Sequence, residues 1–281
     1  MPTVRICLRP LAPLTALLLA GCTNIFLQPS GPVYYHKPEE VGARYEVIVF
    51  ASADKTPLTG LFFPAVIGPA KGTVLHFHGN AQNVTAHFLA SYWLAEKGFN
   101  VFIFDYRGYG ASGGKPSITG AVHDGIAALE YVRTRPDVDP KRVVIFGQSL
   151  GAAIALAATA RDPDIRAMVL ESPFSSFRSI AQIKAGRIPV LGWLLKPLTW
   201  LLISGRHNPS NEIRSLDCPL LIIHGDADKV VPLNEGRSLF ARAHEPKTFW
   251  IVPSGAHIAA FTRPASEYRQ RLATFLDESL R

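Results

Sequence analysis

Cysteine is scarce in this chain: Cys7, Cys22 and Cys218 are the only three in 281 residues. Cys7 and Cys22 belong to the N-terminal segment described below, which leaves Cys218 alone, so no disulfide framework is implied. No Cys/His cluster has metal-ligand spacing, and no metal or other cofactor is expected. Charged residues are few, 18% against 48% apolar, a balance that excludes a disordered chain. The net charge of +7 is not gathered into Lys/Arg runs. With no nucleic-acid motif beside it, nucleic acid is not an expected partner, although a modest positive charge suits an anionic membrane surface. Neither apolar stretch of note spans a bilayer: LAPLTALLLA (11–20) is short and holds Pro13, and IPVLGWLLKPLTWLLIS (188–204) is broken by Pro189, Lys196 and Pro197. No internal repeat or low-complexity block is present.

What remains is a chain long enough for one domain with a real core. Residues 1–21 read as a secretory leader, with Arg5 and Arg9 as its positive start and 11–20 as its apolar run. The run ends in Leu19-Ala20-Gly21-Cys22, which resembles a bacterial lipobox; the resemblance implies that Cys22 becomes the lipidated first residue of a mature lipoprotein. Several acyl chains anchor stably where one does not, because each buried methylene contributes ~0.8 kcal/mol. Thr23, where an aspartate would suggest retention in the inner membrane, leans the expected location in the cell envelope towards the outer membrane. Residues 22–43, with Pro29, Gly31, Pro32 and Pro38, read as an extended, partly ordered tether.

From residue 44 to 281 strands and helices alternate. Strands are expected at 44–50, 58–64, 73–79, 100–108, 142–147, 165–172, 219–224 and 248–252, the first two as a hairpin. Helices are expected at 83–97, 119–133, 149–160 and 264–279. NVFIFDYRG (100–108) is nearly all apolar at its start, as a strand buried on both faces must be. The pattern predicts an α/β domain with a mostly parallel eight-stranded sheet flanked by helices, and active sites in such folds lie at the carboxyl ends of the strands.

Gly147-Gln148-Ser149-Leu150-Gly151 stands between an apolar strand and a helix. A serine there sits on a sharp, strained turn, where glycines give room for strand and helix to touch. The same serine would also serve as a helix cap; with strand before, helix after and both partners downstream, Ser149 is read as a nucleophile. A serine hydroxyl needs a histidine to take its proton, and the histidine needs a carboxylate to orient it. HGDADKVVP (224–232) follows a strand and offers Asp228, with Asp226 as its rival. His257, in a small-residue loop after the last strand, is the expected base. His76 reads as structural, His78 precedes a turn, and His123, His207 and His244 read as surface or helix positions. HFHGNAQN (76–83) is placed to hold an oxyanion, with the amides of Asn80 and Leu150 as donors and Ala81 as the alternative to Asn80.

Together, HFHGNAQN, DYRGYGASGGKPS (105–117), GQSLGAA (147–153), HGDADKVVP and GAH (255–257) resemble the serine-hydrolase branch of the α/β-hydrolase superfamily that includes eukaryotic membrane-associated acyl-protein and lipid hydrolases and their bacterial relatives. The resemblance covers roughly 44–281. It implies cofactor-free hydrolysis of an ester, thioester or amide, and a structural, pocket-rim role for Asp105-Tyr106-Arg107-Gly108. An insertion at about 173–215 is expected to form a small helical cap, either packed on the core or acting as a lid over an acyl pocket. The expected function is hydrolysis of an acyl small molecule, a lipid or an acylated protein at a membrane. A peptidase or amidase on the same triad and a non-catalytic binding lipoprotein are the competing readings; oligomeric state is not indicated.

Overall fold

The computed structural model describes residues 26–187, 202–261 and 267–281, together with positions 197, 199 and 200. Eight strands, β1 (Glu46–Ala51), β2 (Pro57–Phe63), β3 (Thr73–Phe77), β4 (Asn100–Phe104), β5 (Val143–Gln148), β6 (Ile165–Glu171), β7 (Leu220–Gly225) and β8 (Lys247–Val252), form one sheet. They lie across it in the order β1-β2-β4-β3-β5-β6-β7-β8. β2 pairs antiparallel with β1 and with β4, and every other pairing is parallel.

The sequence explains this layout. β3, β4, β5 and β7 are buried along their whole length, which their largely apolar sequences permit. Successive side chains point to opposite faces. Leu75, Ile145 and Ile222 therefore join one apolar layer, and Val74, Val144 and Leu221 join the other. β1, at an edge, buries Ile48 and Phe50 and exposes Val47 and Val49.

Among the described residues there are seven helices: α1 (Val84–His87), α2 (Ile118–Thr134), α3 (Leu150–Thr159), α4 (Phe177–Gly186), α5 (Pro209–Glu212), α6 (Leu233–Phe240) and α7 (Glu267–Ser279). α2 starts at Ser117, whose hydroxyl accepts the Gly120 amide at 3.0 Å. Such a cap satisfies one of the amides that a helix start leaves unpaired.

The single helix expected over 83–97 is broken. α1 gives way to 3₁₀ turns at Phe88–Ala90 and Tyr92–Lys97. The break falls at Ser91, whose hydroxyl is taken by His76 Nδ1 at 2.9 Å, while the Trp93 indole N–H donates to the Ala90 carbonyl at 2.8 Å. Buried side-chain bonds of this kind compete with the helical ladder. α6 is not among the expected helices, whereas α4 and α5 fall in the insertion expected to form a small helical cap. The insertion opens with α4 and closes with α5 and a 3₁₀ turn at Ile213–Ser215. Its apolar middle (188–196, with 198 and 201) lies outside the described residues, as do the leader and Cys22.

The tether is fastened to the domain from Phe26 onward. Pro29 bridges Gln82, the Gly110 amide donates to the Ser30 carbonyl at 2.9 Å, and Asn83 Nδ2 donates to the carbonyls of Gly31 (3.0 Å) and Val33 (2.8 Å). This segment runs along the loops that follow β3 and β4. Among the described residues no helix is long and apolar enough to cross a membrane.

Candidate active site

β5 carries the chain straight into Ser149, which holds φ +51° and ψ −112°. A non-glycine residue at positive φ is strained and persists only where its surroundings force it. The force here is close packing. A Cβ on Gly151 would strike the backbone carbonyls of Phe77 and His78, and one on Gly147 would stand 2.8 Å from Ala152 Cα. The two glycines let β3, the turn and α3 come together with the Ser149 hydroxyl at the carboxyl end of the sheet.

His257, on the loop after β8, meets that hydroxyl. Ser149 Oγ lies 2.9 Å from His257 Nε2, and His257 Nδ1 lies 2.7 Å from Asp228 Oδ2. In the neutral imidazole one nitrogen donates and the other accepts. The arrangement has Ser149 donating to Nε2 and Nδ1–H donating to Asp228. Asp228 is fixed in turn: its Oδ1 accepts the amides of Val230 (2.8 Å) and Val231 (2.9 Å). Burial alone would raise this carboxyl, but hydrogen bonds from His257 and the two amides outweigh it and hold Asp228 below the ordinary range. Asp226, its rival, is exposed.

A cavity of about 240 Å³ opens beside Ser149 and His257 and is walled mainly by Phe26, Phe174, Phe177, Ile180 and Val231. Asn80, Ala81 and Leu150 also border it. Leu150 is the first residue of α3, where the amide has no intrahelical partner and stays free for an anion. The Asn80 side chain faces the tether. Its Oδ1 accepts the Gln28 amide at 2.9 Å and the Tyr109 hydroxyl at 3.0 Å, and its Nδ2 donates to the Phe26 carbonyl.

Residues 68–217 match the family described as serine aminopeptidase, S33. The chain belongs to this family, within the α/β-hydrolase superfamily. It is 41% identical to an uncharacterized protein YfhR of Salmonella typhi, over 94% of this chain and 91% of that one. It is 33% identical to the α/β hydrolase domain-containing protein WAV2 of Arabidopsis thaliana, over 94% and 90% of the two chains. The esterase Pf2001 of Pyrococcus furiosus superposes with a TM-score of 0.73 at 22% identity, over 91% of this chain and 98% of that one, a likeness of fold.

Around the site of this hydrolase stand residues that sequence reasoning passed over. Glu171 closes β6, buried; burial raises its carboxyl above the ordinary range. It accepts the Gln148 side-chain amide at 2.7 Å and the Ala260 amide at 2.9 Å, while its own carbonyl accepts the Ser149 amide at 2.9 Å. Gln148 Oε1 takes the N–H of His76 Nε2 at 3.0 Å. A chain of bonds thus runs from Ser91 through His76, Gln148 and Glu171 to the loop that carries His257. A carboxylate closing the apolar run 167–170 is the one sequence signal for Glu171.

Asp105, read as part of a structural motif, is buried and accepts the Val84 amide at 2.9 Å; burial pushes its carboxyl up to about 7. Burial lowers His76 to about 3 and lowers His78 and His87, so all three are neutral at ordinary pH. Arg107 forks onto Asp124 and Asp54 and ties the same motif to α2 and to the β1–β2 turn.

Proposed function

We propose that this α/β hydrolase is a serine hydrolase that cleaves an ester or thioester of an apolar acyl group. The observation that carries the reading is the unbroken hydrogen-bond line Ser149–His257–Asp228, with Ser149 and His257 lining a mainly apolar cavity. Ser149 Oγ attacks the acyl carbonyl while His257 Nε2 takes its proton. The carbonyl oxygen becomes an oxyanion held by the amides of Leu150 and Asn80. Collapse breaks the bond to the leaving alkoxide or thiolate, which receives the proton from His257. A water, deprotonated by His257, then releases the acid and restores Ser149. Asp228 keeps Nδ1 protonated and stabilises the imidazolium.

A peptidase or amidase reading is favoured by the family's description as serine aminopeptidase. The cavity supports the ester reading instead. A peptide α-ammonium needs an anion beside it, because a buried unpaired charge is costly. Among the described residues the cavity lining offers no Asp or Glu and does include Lys184.

Lipidation of Cys22 and placement in the envelope belong to the same proposal. Only three residues separate Cys22 from Phe26, so covalent reach keeps an anchored cysteine within roughly 14 Å of the cavity wall. That reach supports a substrate drawn from the anchoring bilayer. Loss of labelled palmitate from Cys22→Ser, with retention in the wild type, is the expected result.

A fluorophosphonate probe is expected to label wild type and not Ser149→Ala, and p-nitrophenyl acyl esters to be turned over much faster than aminoacyl anilides. Equal labelling of the two proteins would remove the serine mechanism; faster anilide turnover would turn the reading to the amidase. No labelling together with no turnover of any short or medium acyl ester would leave a binding lipoprotein.

A further inference from the structure

The segment ahead of the domain contributes to the cavity, although it precedes β1 by some twenty residues. Phe26 is buried, and its ring stands 5.9 Å from that of Phe177 at a tilt of 46°. The Lys184 ammonium lies 5.5 Å from the centre of the same ring. Phe26 and Gln28 border the cavity together with Ser149, His257 and Leu150. On its other side the same stretch of backbone holds Asn80: the Phe26 carbonyl and the Gln28 amide take the two ends of that side-chain amide. Of the other walls, Phe174, Phe177 and Ile180 come from the start of the insertion, and Val230, Val231 and Ile258 come from the loops that carry Asp228 and His257. An acyl chain attached to Ser149 therefore extends between an N-terminal wall and an insertion wall, with Phe26 as the N-terminal one.

We infer that Phe26 is a specificity-determining residue of this site, setting the length and bulk of the acyl chain accepted beside Ser149. The substrate class that follows is a linear acyl chain of short to medium length. The cavity, at about 240 Å³, lies below the ~300–1,000 Å³ of most small-molecule sites. Phe26, Phe174, Phe177 and Ile180 offer apolar contact to such a chain, with Gln28 and Lys184 as the polar members of the lining. Removing the ring lengthens the space, and enlarging it shortens the space. The inference rests on the acyl-hydrolase reading above for its substrate, and on the packing of Phe26 alone for its residue.

The test uses the full chain and two substitutions of opposite sense, Phe26→Ala and Phe26→Trp. For each protein kcat/KM is measured on p-nitrophenyl butyrate and p-nitrophenyl decanoate. One methylene fitted or misfitted in an apolar pocket changes discrimination about 10-fold or more. The decanoate-to-butyrate ratio is expected to rise at least about tenfold in Phe26→Ala and to fall in Phe26→Trp. Ratios within twofold of wild type in both variants overturn the inference. Because the readout is a ratio within one protein, a loss of folded fraction cancels. A second measurement separates this inference from the mechanism: binding of decanoic acid to Ser149→Ala, with and without Phe26→Ala. A change in affinity of about tenfold there upholds Phe26 even if no ester is turned over, in which case the hydrolase mechanism alone has failed. Unchanged affinity and unchanged ratios remove Phe26 while leaving the mechanism standing.

Discussion

The side-chain amide of Gln148 donates to the carboxylate of Glu171 at 2.7 Å, inside the protein and one residue from the strained Ser149. The other carboxylate oxygen accepts the Ala260 amide, three residues beyond His257. Glu171 thus joins the turn that presents the hydroxyl to the loop that presents the imidazole. In Glu171→Gln one side-chain oxygen becomes an N–H₂ and must face a donor, either the Gln148 amide or the Ala260 amide. A buried donor left unsatisfied costs about 1–3 kcal/mol. Glu171→Gln is expected to unfold at lower denaturant and to lose kcat with little change in KM. A variant that matches the wild type in both denaturation and kcat would show that the bond does not position the site.

Asn80 offers a separate test of positioning. Its backbone is retained in Asn80→Ala, so a lost amide donor is not the change made. What is lost is the fastening to Phe26, Gln28 and Tyr109. A displacement of about 1 Å at a catalytic group costs up to about 100-fold in rate. Asn80→Ala is expected to reduce kcat on a short acyl ester about 10- to 100-fold, with KM moving far less. Unchanged kcat in steady-state assays would mean that the loop keeps its shape without the tether.

Asp228→Asn should preserve the fold and lose turnover by about four orders of magnitude, because the amide favours the wrong imidazole tautomer. The amides of Val230 and Val231 still find an oxygen at position 228, so the loop has no reason to move. Near-wild-type kcat in Asp228→Asn would transfer the orienting role elsewhere.

The parallel sheet was legible because β3, β4, β5 and β7 are largely apolar, and a segment of that kind has few other places to go. The line from Ser149 to His257 was legible because each member follows a strand, with the acid and the histidine both downstream of the serine. Ser91 was not legible: nothing local to 83–97 says that a hydroxyl there will turn inward to His76, which comes from β3. Glu171 and Phe26 were missed for the same reason. Their roles depend on contacts with Gln148, Ala260 and Phe177, 23 to 151 positions away along the chain and brought close only by the fold. The tether resembled a linker by its prolines, yet prolines also suit a strand of chain laid along a surface.

Gly151 and Gly205 make a matched pair. A Cβ at 151 meets the Phe77 and His78 carbonyls, while one at 205 meets nothing within 4 Å. Backbone atoms cannot swing aside as a long side chain does, and overpacking of this sort costs about 1–3 kcal/mol or more. Gly151→Ala is expected to lower the melting temperature by several degrees and to abolish turnover as α3 backs away from β3. Gly205→Ala should melt as the wild type does. Equal melting of the two would mean that the elbow is less tightly packed than its geometry requires.

Asp105 gives the protein a pH dependence of stability whose sign is fixed by burial. Its carboxyl is pushed up from 3.8 to about 7 in the folded chain. Between those values the unfolded chain releases the proton while the folded chain keeps it, so stability falls as pH rises. Below 3.8 both states are protonated, and above about 7 both are ionised and the loss levels off. Asp228 acts in the opposite sense and in a different window. Its carboxyl is held low when folded, and the stability it contributes is lost only as pH falls below the ordinary carboxylate range. His78, 3.6 Å from Asp105, is itself kept neutral by burial and brings no charge to offset the carboxylate. Asp105→Asn keeps an oxygen for the Val84 amide and cannot ionise. Denaturation of wild type and Asp105→Asn at pH 5 and pH 8 is expected to show the wild type losing stability over that interval relative to the variant. Parallel pH profiles for the two proteins would place the buried carboxylate's titration outside this range and refute the assignment.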